Sequence, residues 1–446
     1  MLLIQKSFYG LFLIVFIFPC RDLKAQKSNT QPNIIYIMAD DLGYADLSCY
    51  GRKDYQTPNL DKLCSQGIKF INAYAAAPVC TPTRVAFFTG RYPAHLTVGL
   101  YEPIAEGHND SLVGLSPENP SIAQLLKKVD YETYLIGKWH LGYRPEFNPI
   151  VNGFDYFFGF NTGATDYISH TNPKGKPDLY ENDQPLQKEG YITDIFMEKA
   201  IEVINKSRQK PFFLALTFNA PHWPWQGPGD KPYPTGSIDN WKSGGSPEIY
   251  ARMMKSLDDA VGKIVTTIDD LKLSNNTVII FTSDNGGERY SDNGIYQDGK
   301  MSLREGGIRE PAFVRWTGKI KENSITNQVT TTMDWTATIL SLAGAKADEK
   351  FPLEGIDITP MVMGKKKEID RILYWRIYQR KQQKAMRDGK WKWLQDEKGN
   401  EYLFNLINDP SEKNNLKDQQ KEVFEKLKKK YQLWEATMLK PIPLQQ

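Results

Sequence analysis

The feature that most constrains the fold of this 446-residue chain is an alternation of short apolar runs with segments of helical periodicity. The strand-like runs cover residues 33–39, 131–136, 212–218, 277–282 and 312–316. The helical patterns cover residues 59–66, 121–129, 193–205, 247–271 and 334–342. This alternation predicts an α/β fold with a large, mostly parallel sheet sandwiched by helices. Ligands of such sheets bind beyond the carboxyl ends of the strands.

The sequence changes character after about Gly344. Short strand-like runs follow at 372–377, 384–387, 390–395 and 402–405, and a charged amphipathic helix at 419–438. Turn residues such as Asp388-Gly389 favour hairpins, so this part is predicted to be a smaller antiparallel sheet plus a helix. Because a single core rarely exceeds about 250–300 residues, we expect a catalytic domain at 32–345 and a C-terminal subdomain at 346–446.

Composition excludes several classes of protein. Hydrophobic residues make up 40% of the chain and charged residues 24%, which excludes a disordered chain, a collagen and a coiled coil. The 56 Lys and Arg residues against 53 Asp and Glu residues give a net charge of +3. This balance indicates no nucleic-acid partner.

The N-terminus has the pattern of an export signal. Lys6 precedes an apolar run at 11–18, and the small residue Ala25 follows. We therefore predict a signal peptide at 1–25 and a protein that is exported to the periplasm or secreted. Lipid attachment at Cys20 is the alternative. No later segment is apolar enough to predict a membrane span.

Cys49, Cys64 and Cys80 are the cysteines that follow the predicted signal peptide. Three cysteines cannot form a complete disulfide framework. Cys49 and Cys64 either pair with each other or are small buried hydrophobic residues, and we favour the second interpretation.

Cys80 stands in a different context, Cys80-Thr81-Pro82-Thr83-Arg84, at the start of a predicted helix. The positive field at a helix N-terminus favours the reactive thiolate. Arg84, one turn later, could bind an oxyanion through two parallel hydrogen bonds. The alternative is a buried structural cysteine, which leaves Arg84 unexplained.

Oxygen-bearing side chains follow two of the predicted strands. Asp40-Asp41 follows the run 33–39, and Asp284-Asn285 follows the run 277–282. Four oxygen donors with no Cys or His in either motif indicate a hard cation, Ca²⁺ or Mg²⁺. The alternative is that each Asp caps the next helix.

Two histidines and two lysines complete the set of candidate residues. Lys138 and His140 lie in Gly137-Lys138-Trp139-His140 at the end of a predicted strand, and His222 follows another strand. Lys300 adds a further cation. The alternatives are hydrogen-bonded structural histidines and a solvated loop lysine.

These motifs together resemble those of the type I sulfatases, in the alkaline phosphatase superfamily, and in particular exported bacterial polysaccharide sulfatases. Residues 80–84 match the C-x-P-x-R signature, and Thr89-Gly90-Arg91-Tyr92-Pro93 extends it. The other motifs stand in the family's order, and the resemblance covers roughly residues 32 to 416. It implies an alkaline phosphatase-like fold and a sulfuric ester hydrolase.

The resemblance also implies a role for each candidate residue. A maturation enzyme would convert Cys80 to formylglycine (3-oxoalanine), whose hydrated form has a second hydroxyl that allows sulfate to be expelled. One calcium ion would be held by Asp40, Asp41, Asp284, Asn285 and the residue formed from Cys80. Arg84, Lys138 and Lys300 would stabilise the sulfate charge. His222 would be the general acid and His140 the base.

Two other functions remain open at this point. A phosphonate or phosphate monoester hydrolase of the same superfamily is one, and a catalytically silent protein that binds sulfated glycans is the other. Predicted export and a high aromatic content favour a sulfated carbohydrate as the substrate, rather than a steroid or a lipid.

The pair Trp223 and Trp225, directly after His222, is the candidate for contacts with a sugar. A sugar ring could stack on one indole, with Asp166 or His170 binding its polar edge. The alternative is that both tryptophans pack residues 226–247 onto the fold. That stretch lacks periodicity and is predicted to be a long surface loop.

Overall fold

A strand that is buried over its whole length organises the fold. All seven residues of strand β1 (Asn33–Ala39) are buried, which explains why its sequence is continuously apolar rather than alternating. The computed structural model describes residues 31–105 and 112–443. The predicted signal peptide at 1–25 and Cys20 lie outside the described residues.

The other strands of the large sheet are β2 (Ile68–Tyr74), β3 (Glu132–Lys138), β4 (Tyr156–Phe160), β5 (Tyr180–Glu181), β6 (Gln184–Pro185), β7 (Phe212–Thr217), β8 (Thr277–Ser283), β9 (Arg309–Arg315), β10 (Ser324–Thr326) and β11 (Thr330–Thr331). A second sheet contains β12 (Ile372–Ile377), β13 (Gln383–Asp388), β14 (Trp391–Gln395) and β15 (Glu401–Asn405). The helices are α1 (Pro58–Ser65), α2 (Cys80–Thr89), α3 (Ile122–Lys127), α4 (Ile192–Asn205), α5 (Ile238–Ser243), α6 (Pro247–Asp270), α7 (Glu305–Ile308), α8 (Thr332–Ala343), α9 (Thr359–Val362) and α10 (Lys421–Glu435).

The topology of the large sheet confirms the predicted α/β class. Its strand order is β10-β2-β9-β8-β1-β7-β3-β4-β5-β6, and β11 pairs with β2. The central strands β8, β1, β7, β3 and β4 are parallel neighbours, whereas β9 runs antiparallel to β8 and β2. The carboxyl ends of the central strands therefore meet at one edge of the sheet.

Helices cover both faces of the large sheet, as predicted. Ile35 and Ile37 of β1 pack into a core that includes side chains of α1, α4 and α6. Ile34 and Tyr36 point to the opposite face, into a core that includes side chains of α2, α3 and α8. Successive residues of β1 thus enter two different cores, which is the period-2 alternation of a strand.

The small C-terminal sheet is antiparallel, in the order β12-β13-β14-β15. One face packs against α10 through Trp393 and Leu427. On the other face Trp375 packs in a cluster with Tyr74 and Val79, and its Nε1 donates to the carbonyl of Ala75 at 2.8 Å. The predicted sheet and helix are confirmed, while the boundary at 345/346 stays a prediction.

The structure also differs from the sequence expectations. The stretch 226–247 contains α5, whose Trp241 is fully buried, so the prediction of an irregular surface loop was wrong there. Strand β2 was not predicted, because Lys69 and Asn72 interrupt its apolar residues. Cys49 and Cys64 are both free in this structure. In the described ranges, no helix is both long and apolar enough to cross a membrane.

Candidate active site

A cavity of about 490 Å³ lies beyond the carboxyl ends of the central strands. Cys80, His140, His222 and Lys300 are among its lining residues. The structure thus brings together residues from four separate sequence motifs. A volume of this size is within the range of small-ligand sites.

Asp40 and Asp41 follow directly after β1 and are both buried. Consecutive strand residues normally point to opposite faces, but Asp41 has a φ of 63°. This left-handed conformation is uncommon outside glycine, and backbone strain of this kind is concentrated at functional sites. Lys138 Nζ donates to Asp40 Oδ2 at 2.5 Å, and Lys300 Nζ donates to Asp41 Oδ2 at 2.7 Å.

Asp284 and Asn285 follow β8 and reach the same point. Arg84 Nη2 donates to Asp284 Oδ2 at 2.9 Å, and Asn285 Nδ2 donates to Asp41 Oδ1 at 2.8 Å. Asn285 Oδ1 is buried and has no hydrogen-bond partner among the described residues. A buried acceptor without a partner is costly, so this oxygen fits a position that faces a missing ligand.

The electrostatics of the carboxylates fit a divalent cation. Burial and the nearby Asp284 raise the pKa of Asp40 to about 6, and burial raises the pKa of Asp41 well above its usual value. Burial acts in the same sense on Asp284, but Arg84 and Lys138 outweigh it and lower that pKa. Ligand atoms of Asp40, Asp41, Cys80 and His222 lie within 4.8 Å of one another. A hard cation would neutralise these closely spaced carboxylates, and Asn285 Oδ1 could bind to it as a further ligand.

Cys80 is the first residue of α2, all of whose residues are buried. Its Sγ lies 3.6 Å from Asp40 Oδ1. Burial raises the pKa of the Cys80 thiol above its usual value, against the lowering effect of Lys138 and Lys300. Desolvation therefore acts against the reactive thiolate that the helix N-terminus is expected to favour.

Gly137, the residue before Lys138, lies where any side chain would strain the backbone. Gly137 has a φ of 115°, and a Cβ on it would lie 1.9 Å from the carbonyl oxygen of Thr217 on β7. The close approach of β3 and β7 at this point therefore requires glycine. The next residue, Lys138, is fully buried with its ammonium at Asp40.

His140 lies one residue beyond Trp139 with a φ of 57°. Its Nε2 is 3.0 Å from the carbonyl oxygen of Ile104. A carbonyl only accepts, so Nε2 carries the proton and Nδ1 is the unprotonated nitrogen. Nδ1 is buried and lacks a partner among the described residues. Burial and the charge of Lys138 lower the pKa of His140 well below its usual value, which keeps the ring neutral and Nδ1 able to accept a proton.

His222 presents its other nitrogen to the site. Its Nδ1 donates to the carbonyl of Trp223 at 2.5 Å, and its Nε2 lies 3.6 Å from Asp41 Oδ2. Burial, and then the charges of Lys300 and Lys138, lower the pKa of His222 well below its usual value. Nε2 is therefore directed toward the cluster around Asp41, and the hydrogen bond to the backbone fixes the ring's orientation.

The four candidate sugar-binding residues separate into two groups. Trp223 lines the cavity. Trp225 is 2% exposed and packs edge-to-face on Tyr290, as the packing interpretation expects. Asp166 is fully buried and accepts hydrogen bonds from Gln226 Nε2 and the Tyr233 amide. His170 is bonded to the carbonyl of Gly190 and lines a different cavity. Only Trp223 of these four lies at the active-site cavity.

Four further charged residues line the cavity and were not predicted: Lys174, Lys242, Glu288 and Arg380. Glu288 Oε2 lies 3.4 Å from Lys300 Nζ and directly follows the Asp284–Gly287 motif, which was a usable signal. Lys242 belongs to α5, which was mistaken for a loop. Arg380 lies in a turn between β12 and β13, and nothing in the sequence connects it with the site.

Comparison with known proteins identifies the family. The sulfatase family model matches residues 32–345, and the model for the C-terminal part of N-sulphoglucosamine sulphohydrolase matches residues 293–437. Human N-acetylgalactosamine-6-sulfatase is 32% identical over 371 residues, covering 77% of this chain and 68% of the relative. Human steryl-sulfatase is 30% identical over 426 residues, covering 76% and 71%.

A solved structure extends the match to the three-dimensional level. Ps i-CgsB in complex with k-i-k-neocarrahexaose superimposes with a TM-score of 0.84 and 31% sequence identity, covering 93% of this chain and 95% of the other. The similarity thus extends over both sheets, and the cluster around Cys80 contains the residues that the motifs predicted. The family favours ester hydrolysis of sulfates over the phosphate and silent-binding alternatives. The chain belongs to the sulfatase family and is a sulfatase enzyme.

Proposed function

We propose that this sulfatase removes sulfate from a sulfated carbohydrate, using a formylglycine made from Cys80 and one calcium ion. The observation that carries the proposal is the position of Cys80. Its sulfur lies at a helix N-terminus, 3.6 Å from Asp40 Oδ1, in a cavity that also contains His140, His222 and Lys300. As a thiol this group is protonated and weakly nucleophilic, so a chemical conversion of Cys80 explains its place in the site.

The calcium ion would be held by Asp40, Asp41, Asp284, Asn285 and the residue formed from Cys80. When bound, it would polarise a sulfate oxygen and lower the pKa of the attacking hydroxyl. Calcium suits this donor set because carboxylate and amide oxygens are hard ligands.

Three cations of the chain itself would bind the sulfate group. Arg84, Lys138 and Lys300 extend into one buried cluster and donate there to Asp284, Asp40 and Asp41. Fixed donors of this kind stabilise charge that develops during bond breaking, since a dry site strengthens them.

Two histidines would transfer protons, His140 through Nδ1 and His222 through Nε2. His140 Nδ1 is a buried acceptor without a partner among the described residues, which suits the general base. His222 Nε2 points toward the site and would deliver a proton to the leaving alcohol oxygen when the ring is protonated. The negative charge of a bound sulfate ester favours that protonated ring.

A carbohydrate substrate is supported by two of the related proteins. One is named for N-acetylgalactosamine 6-sulfate, and the other was solved with a neocarrahexaose. Trp223 offers an indole at the cavity wall, where a sugar ring could stack. A steroid sulfate is the second candidate, since steryl-sulfatase is also a relative. The proposal includes export through residues 1–25 and a maturation enzyme that acts on Cys80.

The test has two parts. Mass spectrometry of the Cys80 peptide from the native host should show 3-oxoalanine, and an unmodified thiol would contradict the formylglycine proposal. Turnover is then compared on matched aryl sulfate and phosphate esters, on defined sulfated oligosaccharides and on a steroid sulfate. We expect the highest kcat/KM on a sulfated oligosaccharide. Higher efficiency on the steroid sulfate would overturn the carbohydrate assignment.

A further inference from the structure

Two cations at the active-site cavity have no part in the chemistry described above. Lys242 and Arg380 both line the cavity that contains Cys80 and His222. Over the described ranges, neither forms an ion pair with a carboxylate. Both charges therefore line the substrate space without a direct ion pair, and the carboxylates that act on Lys242 from a greater distance are Glu288 and Asp239.

Both cations and carboxylates act on Lys242, and among the residues that line the cavity the cations are in excess. Burial lowers the pKa of Lys242, and the positive charge of Arg380 lowers it further. Lys300 also lines the cavity, and Glu288 is the carboxylate among its described lining residues. Glu288 lies 3.4 Å from Lys300 Nζ, so its charge is already engaged. The lining thus carries excess positive charge, which attracts anionic ligands.

Lys242 is held on an anchored helix. The preceding residue, Trp241, is fully buried, and its Nε1 donates to the carbonyl of Pro234 at 3.0 Å. Lys242 Nζ lies 5.0 Å from the centroid of the Trp223 ring, within the range of a cation–π contact. The ammonium is therefore kept beside the indole proposed to contact the sugar.

Arg380 is held on an anchored turn. The carboxylate of Glu102 accepts hydrogen bonds from the amides of Tyr378 at 2.6 Å and Gln379 at 2.8 Å. The amide of Glu102 in turn donates to Gln379 Oε1 at 2.8 Å. Pro103, the residue after Glu102, is part of the cavity wall. The C-terminal subdomain thus supplies a cation to the active site from a turn tied to that wall.

We propose that Lys242 and Arg380 form a second anion subsite, which binds a sulfate ester or a carboxylate elsewhere on the same substrate. The inference rests on the proposed carbohydrate function and narrows it to polyanionic saccharides. Both anions accept charge-assisted hydrogen bonds, and Arg380 can bind either one with two parallel bonds. Lys242 and Arg380 are specificity-determining residues in this role, since the reacting sulfate is held by other cations.

The test uses three disaccharides that share one target sulfate. The first has no other charge, the second has a second sulfate, and the third has a carboxylate. Their binding is measured as inhibition of 4-nitrophenyl sulfate turnover, and their cleavage as kcat/KM. The enzymes are the wild type, K242Q/R380Q, the conservative variant K242R/R380K, and K321Q, which changes an exposed lysine outside the cavity lining.

The measured quantity is the preference for a doubly charged over the singly charged disaccharide. We expect this preference to be about 10- to 100-fold lower in K242Q/R380Q than in the wild type. That factor is what hydrogen bonds to charged groups typically contribute to binding. K242R/R380K should restore most of it, and K321Q should leave it unchanged. The preferred disaccharide tells whether sulfate or carboxylate is the natural anion. Melting temperatures identify a variant that has lost structure, in which case the single variants K242Q and R380Q carry the test.

Two results would overturn the inference in distinguishable ways. If wild type binds all three disaccharides equally, or if K242Q/R380Q keeps the wild-type preference within about twofold, the subsite does not exist although the carbohydrate proposal stands. If wild type hydrolyses 4-nitrophenyl sulfate but neither binds nor cleaves any saccharide, the carbohydrate proposal itself fails.

Discussion

The protein contains two buried clusters of ionised residues, and they differ in how their charges are compensated. One surrounds Cys80 at the edge of the large sheet. The other joins the small sheet to the rest of the protein, where Lys392 Nζ on β14 lies 2.8 Å from Glu305 Oε1 and 2.9 Å from Glu412 Oε1. We call these the catalytic cluster and the joining cluster. All three of these joining-cluster side chains are buried.

One carboxyl group of each cluster, Glu305 and Asp40, shows the difference, because their pKa values shift in opposite directions. Burial acts to raise the pKa of Glu305, but Lys392, Arg309 and Arg387 outweigh it and lower the pKa to about 2. In the catalytic cluster, burial and Asp284 outweigh the cations near Asp40 and raise its pKa to about 6. Glu412, which shares Lys392 with Glu305, has a pKa that burial raises.

A binding site and a structural ion network differ in how completely their buried polar groups are compensated. Both clusters are buried and contain Lys, Arg and acidic residues, so composition alone does not distinguish them. At Glu305 the cations outweigh burial, and the ionised carboxylate stabilises the fold. Where carboxylates crowd one another and an oxygen such as Asn285 Oδ1 has no described partner, the site favours a further cation.

The strongest test of this difference is removal of the metal. Exhaustive chelation should reduce turnover by about 10³-fold or more, since a metal supplies several kcal/mol of charge stabilisation. The melting temperature should also fall, because a ligand that binds only the folded state stabilises it by RT ln(1 + [L]/Kd). Added calcium should restore both. Unchanged turnover and stability, with no metal found by elemental analysis, would remove the distinction between the clusters.

Within the catalytic cluster, His222→Ala should separate chemistry from structure. A sugar hydroxyl is a poor leaving group and needs a proton, whereas 4-nitrophenolate leaves without one. Loss of general acid catalysis should reduce kcat on a sulfated saccharide by about 10²–10⁴-fold, with a much smaller loss on 4-nitrophenyl sulfate. Equal losses on both substrates would exclude His222 as the acid.

The joining cluster should respond in the opposite manner. Lys392→Met leaves Glu305 and Glu412 buried without their shared cation, which should reduce the free energy of unfolding by about 3–5 kcal/mol. Urea unfolding measures that loss. Turnover per folded molecule should stay near wild type, because Lys392 is not among the described residues that line the cavity. Lys398→Met, at an exposed lysine in the turn after β14, is the control and should change neither quantity.

The sequence was sufficient for the parts of the molecule in which local pattern and chemistry coincide. β1 was predicted at its observed bounds because it is apolar throughout, and Asp40, Cys80, Lys138 and His222 lie at strand or helix ends, where motif and position agree. Lys242 and Arg380 could not be found, since their importance depends on which distant segments fold together. The joining cluster was missed for the same reason, because Lys392 and Glu305 belong to segments that only the fold brings into contact.

A single buried carboxylate outside both clusters gives the smallest effect. Glu102 is 6% exposed, and burial raises its pKa to about 7, although backbone amides of Gln379 and Tyr378 act against the shift. The folded state therefore retains a proton that the unfolded chain releases near pH 4.5. The free energy of unfolding should fall as the pH rises from about 5 to about 7 and then level off, by roughly 3 kcal/mol at most.

The side chain in Glu102→Gln is neutral at every pH, so this variant should lack the pH-dependent component. The stability of the variant relative to wild type should therefore increase between pH 5 and pH 8. Urea unfolding at both pH values measures it, with the exposed Glu118→Gln as the matched control. Parallel pH profiles for wild type and Glu102→Gln would mean that Glu102 is ionised at little cost, its two amide donors being enough to offset burial.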